Sequence, residues 1–485
     1  MSRDLRTWME KLATEGELKR IKAKVGWDGE IAEIRRRVLQ ERGPALLFEN
    51  IEGYENTWCR KLFTGELAGT RRVALMLSMP KDTPRPDVLQ LLRKRLREPI
   101  EPVRLATGPV KENIVKGDDV DLFQIPVPKW HPLDAGRYIN TWCGVVTMDP
   151  DTGMHNVGLY RGMLLDKDKI GVLLIPAKGW GIHYDRYRQM GKPMPVAVVY
   201  GWDPAMAMAA ATPLTINEYE VMGAILQEPV PLCQCETSDI EVPCAAEIVV
   251  EGTISTETAT YEEEGFFGEA LGFYGERRKR PVIKVDCITF RNDPIYVGAL
   301  TGISQPGVVS SDEVAITHMG VAATMWNTQE SQGIPGVLDI VPMPVTAIKI
   351  HKTYQGQPKH VAAAIWGTRL AITYAKIIIV VEEDVDISDP AAILRAMLLH
   401  VDPARDLVVF PMGLGELDTA FSSEAQDELK WGATLGNNLL IDATVNWTTH
   451  PVREEWGGRR LPPPSTEPFP DMVELVEKRW KEYGL

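Results

Sequence analysis

Between about residues 105 and 310 the chain repeats one local pattern, a short run of apolar and β-branched residues followed by a burst of turn chemistry. NTWCGVVTM leads to DPDTG, then come HNVGLYRGMLL, DKDK and IGVLLIP. Gly, Asp, Asn and Pro punctuate such runs because they accept the backbone geometries that reverse a chain. Consecutive hairpins restrict the segment to a mostly antiparallel barrel or sandwich. MPVAVVYG, AAEIVVEGTI, and RPVIKVDCITF joined through RNDP to IYVGAL extend it, and one helical stretch, INEYEVMGAIL, interrupts it.

The flanks read differently. Leu5, Trp8, Met9 and Leu12 recur at helical spacing, and a second helical pattern over 31–39 stops at Gly43-Pro44 before the strand-like ALLFENI. Beyond about 315, strand-like VLDIVPMPV, TAIKIHK, IIIVVEEDVD and DLVVFP alternate with helical HVAAAIWG and PAAILRAMLLHV. At 485 residues the chain has room for roughly two to four cores. The expected fold is α+β: an N-terminal α/β domain over 1–105, a β-rich domain over 106–312, a C-terminal α/β domain over 313–455, and a Pro-rich linker with a terminal helix over 456–485. Val473, Leu475, Val476 and Trp480 of that helix need a surface to bury against, which points to contact between subunits.

Several functions are disfavoured. A net charge of −14 repels a phosphate backbone, so nucleic acid is not expected as a partner. The one basic run, 276–280, reads as a solvated loop or a polyanion contact. No stretch reaches the roughly 20 apolar residues that cross a bilayer, and the first 21 residues lack the pattern of a signal peptide, so a cytoplasmic protein with six reduced cysteines is expected. Walker, dinucleotide, H-E-x-x-H and G-x-S-x-G motifs are all missing from the sequence.

Three groups of residues remain for chemistry. In HNVGLYR, an arginine on a strand either reaches solvent or is buried with a carboxylate, and strand alternation would set Asn156, Gly158 and Tyr160 on one face with Arg161 on the other. In EEEGFFGE, four carboxylates lie beside two phenylalanines. That suits either an acidic surface loop or acids whose pKa is raised by burial and like charge, able to donate protons near neutrality. Asn156, His183 and Glu218 have no metal-motif spacing, but one amide, one imidazole and one carboxylate would suit Mn²⁺ or Mg²⁺. Lys376 heads a strand, where it is either a phosphate contact or an ordinary edge lysine.

The N-x-G-x-Y-R strand at 156–161, the E-G-x-x-G-E segment at 264–269, the intervening CETSDIEVPCAAEIVVEG and the later NNLLIDAT occur in an order that resembles the UbiD family of prenylated-FMN-dependent decarboxylases. The resemblance implies a flavin-binding split β-barrel in the centre and a C-terminal oligomerisation domain. It implies Arg161, Glu264 and Glu269 as the catalytic group, with Arg161 holding a substrate carboxylate and Glu269 delivering the proton. Cofactor contacts are implied at Asn156, Gly158, Tyr160, Arg161, Ile182, His183, Glu218 and Lys376. Asn156, His183 and Glu218 would hold Mn²⁺ with K⁺ beside it; Glu220 is the alternative to Glu218.

Asn437, Asn438, Leu439 and Leu440 would line the substrate pocket. The segment 301–306 lacks the arginine expected after its glycine, so the pocket should differ there. The implied reaction is reversible, non-oxidative decarboxylation of an aromatic or heteroaromatic acid through a covalent adduct with prenylated FMN, releasing CO₂. A flavin prenyltransferase would supply the cofactor, and the enzyme would be a homo-oligomer, dimer or hexamer. A cinnamate-type decarboxylase, an FMN-binding split-barrel oxidoreductase and a non-catalytic carboxylase subunit are the alternatives.

Overall fold

The structure is a computed structural model and describes residues 3–176, 178–212, 216–302, 311–342, 345–368, 375–414, 434–462 and 469–484. Among these, no helix is long and apolar enough to cross a membrane. All six cysteines are buried and free.

The N-terminal helix Leu5–Thr14 starts where Asp4 accepts the Thr7 N–H and Thr7 returns the bond, a capping box, and it buries Leu5, Trp8, Met9 and Leu12 on one face. Strands β1 (Leu18–Ile21), β2 (Ala45–Phe48) and β3 (Lys61–Thr64) follow.

The centre is a nine-stranded antiparallel sheet of β4 (Asn113–Lys116), β5 (Tyr138–Asn140), β6 (Gly144–Met148), β7 (His155–Gly158), β8 (Gly162–Asp166), β9 (Lys169–Val172), β10 (Met194–Tyr200), β11 (Ile248–Ile254) and β12 (Val282–Phe290). The spatial order is β5-β8-β9-β12-β11-β10-β6-β7, with β4 also paired to β12. Strands β7 and β8 are consecutive in sequence, yet six pairing steps separate them through the sheet. In a flat sheet those steps would span roughly 29 Å. The link 159–161 lets Gly158 and Gly162 stand at most about 14 Å apart. The sheet must therefore roll until its two ends approach, and it forms the curled half-barrel expected for the central segment.

Strand β13 (Ile295–Val297) leaves the half-barrel and pairs in parallel with β3, completing the N-terminal sheet in the order β1-β2-β3-β13. The C-terminal sheet has the order β14-β15-β16-β18-β17, from β14 (Val337–Val341), β15 (Thr346–Ile350), β16 (Ile377–Glu382), β17 (Leu407–Leu414) and β18 (Thr434–Asp442). One apolar cluster joins all three parts: Leu5 and Trp8, Val146 and Val199 of the half-barrel, and Ile348 and Val380 of the C-terminal sheet. The terminal helix Pro470–Arg479 buries none of its residues within the chain.

Candidate active site

The strand that the sequence suggests over 155–161 is shorter in the structure. Strand β7 ends at Gly158, and Tyr160 and Arg161 lie in the link that closes the half-barrel. A Cβ on Gly158 would stand 2.3 Å from the Tyr160 ring, so any side chain there would displace that ring. The Tyr160 ring stacks on Trp180 at 4.3 Å, and its hydroxyl accepts a hydrogen bond from Asn156 Nδ2 at 3.3 Å. With Tyr160 so fixed, the next side chain, Arg161, is set by the link rather than by strand alternation.

Arg161 meets two carboxylates that the sequence separates from it by more than a hundred residues. Its Nη2 donates to Glu264 Oε2 at 2.9 Å, and its Nη1 donates to Glu269 Oε1. The side chains of all three are buried, that of Glu264 completely. Burial disfavours the Arg161 cation, but the charges of Glu264 and Glu269 outweigh it and hold its pKa above the ordinary value.

The acidic segment is two small hairpins. Glu262–Glu264 pairs with Arg278–Arg280, and Phe267–Gly268 pairs with Tyr274–Gly275. Gly265 joins them at φ 99°, with Glu276 O 2.2 Å from where a Cβ would sit, so no other residue fits without the chain moving. This folding sorts the four carboxylates. Glu262 pairs with Lys169 and Glu263 with Arg277 near the surface, whereas Glu264 and Glu269 turn inward to Arg161.

Sequence reasoning missed two members of the group. Tyr138 donates to Glu264 Oε1 at 2.9 Å, and its own pKa is raised, first by burial and then by the Glu264 charge. Arg280 Nε lies 3.3 Å from Glu264 Oε2, with its side chain only 15% exposed. The basic run 276–280 is thus not wholly a solvated loop: its last member is half of a buried ion pair. Phe267 packs against both Tyr138 and the Arg161 guanidinium, at 4.4 and 5.2 Å.

Asn156, His183 and Glu218 converge on β7. Val157 N–H donates to Glu218 Oε2 at 3.0 Å. Glu220 sits two residues on, roughly 200° around the helix Glu218–Leu226, so Glu218 is the glutamate that faces β7. Thr147 stands opposite Asn156 across the β6–β7 pairing and is hydrogen bonded to His183 Nδ1 at 2.9 Å. Burial lowers the His183 pKa, which favours the neutral imidazole that a metal needs. The Trp180 indole N–H beside them is fully buried and has no acceptor among the described residues. A bound polar group would satisfy it. This hard, mixed N/O donor set fits Mn²⁺ or Mg²⁺.

The other predicted positions lie elsewhere. Ile182 is 39% exposed on the helix Gly179–Gln189. Lys376 stands exposed just before β16, and its carbonyl accepts the Leu439 N–H of β18 at 2.8 Å, so it shares the C-terminal sheet with 437–440. Strand alternation puts Asn438 and Leu440 on the buried face and Asn437 and Leu439 on the other, so the four do not line one pocket together. Residues 303–306 lie outside the described residues.

Comparison with known proteins follows the same architecture. Family models described as the N-terminal, Rift-related and C-terminal domains of 3-octaprenyl-4-hydroxybenzoate carboxy-lyase match residues 9–92, 101–304 and 321–443. The uncharacterized protein sll0936 of a Synechocystis strain is 32% identical over an alignment 507 positions long, covering 100% of this chain and 97% of that protein. The vanillic acid decarboxylase of Sedimentibacter hydroxybenzoicus, in its closed form, superposes with a TM-score of 0.82 at 27% identity, over 100% of this chain and 99% of that one. An evolved dimeric form of the UbiD-class enzyme HmfF from Pelotomaculum thermopropionicum, in complex with prFMN, gives a TM-score of 0.77 at 27% identity, over 92% and 95%. The apo 3,4-dihydroxybenzoic acid decarboxylase of Enterobacter cloacae gives 0.75 at 25%, over 98% and 99%.

Proposed function

Since the chain belongs to the UbiD family of 3-octaprenyl-4-hydroxybenzoate carboxy-lyases, we propose that it catalyses the reversible, non-oxidative decarboxylation of an aromatic or heteroaromatic carboxylic acid with prenylated FMN. The observation that carries this reading is the buried Arg161 holding Glu264 and Glu269 at once. Losing CO₂ from an sp² carbon leaves an electron pair that no protein side chain can hold, and prenylated FMN, when bound, supplies the electron sink.

The chain's own residues have three tasks. Arg161 draws the substrate carboxylate in with a guanidinium fork suited to planar oxyanions. Glu269 gives the proton to the carbon that has lost CO₂. Glu264, held by Arg161, Arg280 and Tyr138, fixes the arginine. Asn156, His183 and Glu218 would hold a divalent ion, Mn²⁺ in this reading, against the cofactor phosphate. The aromatic acids named for two of the structural relatives support the substrate class. The exposed terminal helix and the dimeric relative support a homo-oligomer.

The test is to co-produce the protein with a flavin prenyltransferase, identify the bound flavin by mass, quantify manganese, and assay a panel of aromatic and cinnamic acids. Glu269→Gln should retain the flavin and lower decarboxylation and CO₂ exchange by about 10²- to 10⁴-fold. Unmodified FMN, no manganese and no CO₂ exchange would instead support a split-barrel oxidoreductase.

A further inference from the structure

A third carboxyl reaches the stretch of chain that backs Glu269. Glu313 stands in the first turn of the helix Asp312–Ile316, whose N-cap Ser311 accepts the Val314 N–H. Its carboxylate Oε2 accepts the N–H of Gly302 at 3.3 Å. Gly302 in turn lies against Glu269: a Cβ built on it would be 3.4 Å from the Glu269 carbonyl oxygen. The preceding Thr301 hydroxyl donates to Gly268 O at 2.6 Å, tying the same two segments together.

The helix that carries Glu313 is itself anchored. Asp312 Oδ1 accepts the Leu67 N–H at 2.6 Å, and its Oδ2 lies 3.3 Å from the guanidinium of the fully buried Arg35. Asp312 is thereby committed to structure, whereas Glu313, the adjacent acid, reaches Gly302 behind Glu269.

We propose that Glu313 supplies protons to Glu269, a role that rests on reading Glu269 as the acid that protonates the product carbon. Each decarboxylation consumes one proton, and Glu269 ends the turnover as a carboxylate. Glu313 as carboxylic acid passes its proton, carried by water, to the Glu269 carboxylate, leaving Glu269 protonated and Glu313 ionised. Glu313 then takes a proton from solvent, so charge and protons balance over the cycle.

The charged and titratable groups facing this relay are Glu269 across Gly302 with Arg161 and, beyond it, Glu264 on its far side, Asp312 on its own helix with Arg35 behind it, and His131. The His131 Nε2 meets Thr301 O at 2.9 Å, and its Nδ1 lies 3.5 Å from Asp134. Burial, with the Glu269 and Asp312 charges adding to it, pushes the Glu313 carboxyl up to about 7. A group that is half protonated at neutrality both gives and regains a proton readily.

Infrared titration and kinetics on the holoenzyme test the relay. A protonated-carboxyl component that titrates near neutral pH should be present in the wild type, be lost in Glu313→Gln while the component from Asp203 remains, and titrate at lower pH in Glu269→Gln, where the neighbouring charge is gone. With the best acid of the panel as probe, Glu313→Gln should keep flavin content and KM while kcat falls at least roughly tenfold and its alkaline limb disappears. Glu313→Asp, which keeps an acid, should restore part of both.

A band indifferent to Glu269→Gln overturns the relay. So does a wild-type kcat profile in Glu313→Gln alongside loss of turnover in Glu269→Gln, which leaves the acid assignment standing. Full-rate turnover by Glu269→Gln overturns the acid assignment and the relay together.

Discussion

Gly275 stands where the ion pair at the heart of the site has no room to spare. A Cβ there would be 2.6 Å from Glu269 Oε1 and 2.9 Å from Arg161 Nη1. Gly275→Ala should leave the fold intact, since the residue sits at the end of a two-residue strand, but must push the carboxylate and guanidinium apart. Misplacing catalytic groups by about 1 Å costs on the order of a hundredfold. The expected outcome is therefore an unchanged circular dichroism spectrum and flavin content with kcat lowered to that extent; unchanged kcat would show that the pair tolerates displacement. At this scale Arg161, Glu264 and Glu269 were legible because family motifs mark them. Tyr138 was not, since its contact spans 126 residues and no local pattern predicts it. Arg280 was hidden by composition: five charged residues in a row read as surface, and only the hairpin register turns the last one inward.

Among the elements, hairpin chemistry and period-two alternation identified the strands of the central sheet, but not their order. Consecutive strands are neighbours in most sheets, and here β7 and β8 close a half-barrel instead. The same limit applies to 437–440, where a run read as one pocket splits between two faces. A second property of the elements becomes visible only with burial. Asp203 accepts the Ala205 N–H at 2.9 Å at the head of the helix Ala205–Ala210 and is almost fully buried. Burial raises its pKa from 3.8 to about 6. A raised carboxyl costs stability above its folded pKa, and the cost is relieved as pH falls from about 6 toward 3.8. Asp203→Asn, which can still accept the Ala205 bond, should therefore stabilise the protein at neutral pH, by at most on the order of 3 kcal/mol. The gain should shrink on acidification; a Tm difference independent of pH would assign the effect to packing.

Across the whole molecule, segmentation along the sequence conceals how the parts depend on one another. The terminal helix was legible as an amphipathic segment, and it leaves Phe469, Met472, Val473 and Trp480 exposed. Removing residues 456–485 should lower the molecular mass in solution to that of a smaller assembly, as read by light scattering. An unchanged assembly would place the subunit contact elsewhere. The N-terminal segment looked self-contained in sequence, yet its sheet is finished by β13, nearly two hundred residues beyond its apparent end. Glu247 anchors that return. It is fully buried, accepts two bonds from Arg6 at 2.8 and 3.0 Å and one from Ile295 N–H at 3.1 Å, and lies 3.4 Å from Arg291. Glu247→Ala would leave Arg291 without this partner in a protected site and the Ile295 N–H unbonded. Breaking one side of a buried pair costs about 3 kcal/mol or more. Because β13 joins the N-terminal sheet directly after β12 of the half-barrel, the loss should fall on the N-terminal sheet and the half-barrel together: a single urea transition shifted to lower concentration, with the slope unchanged. Two separated transitions would mean that the N-terminal sheet holds together without the strand it borrows.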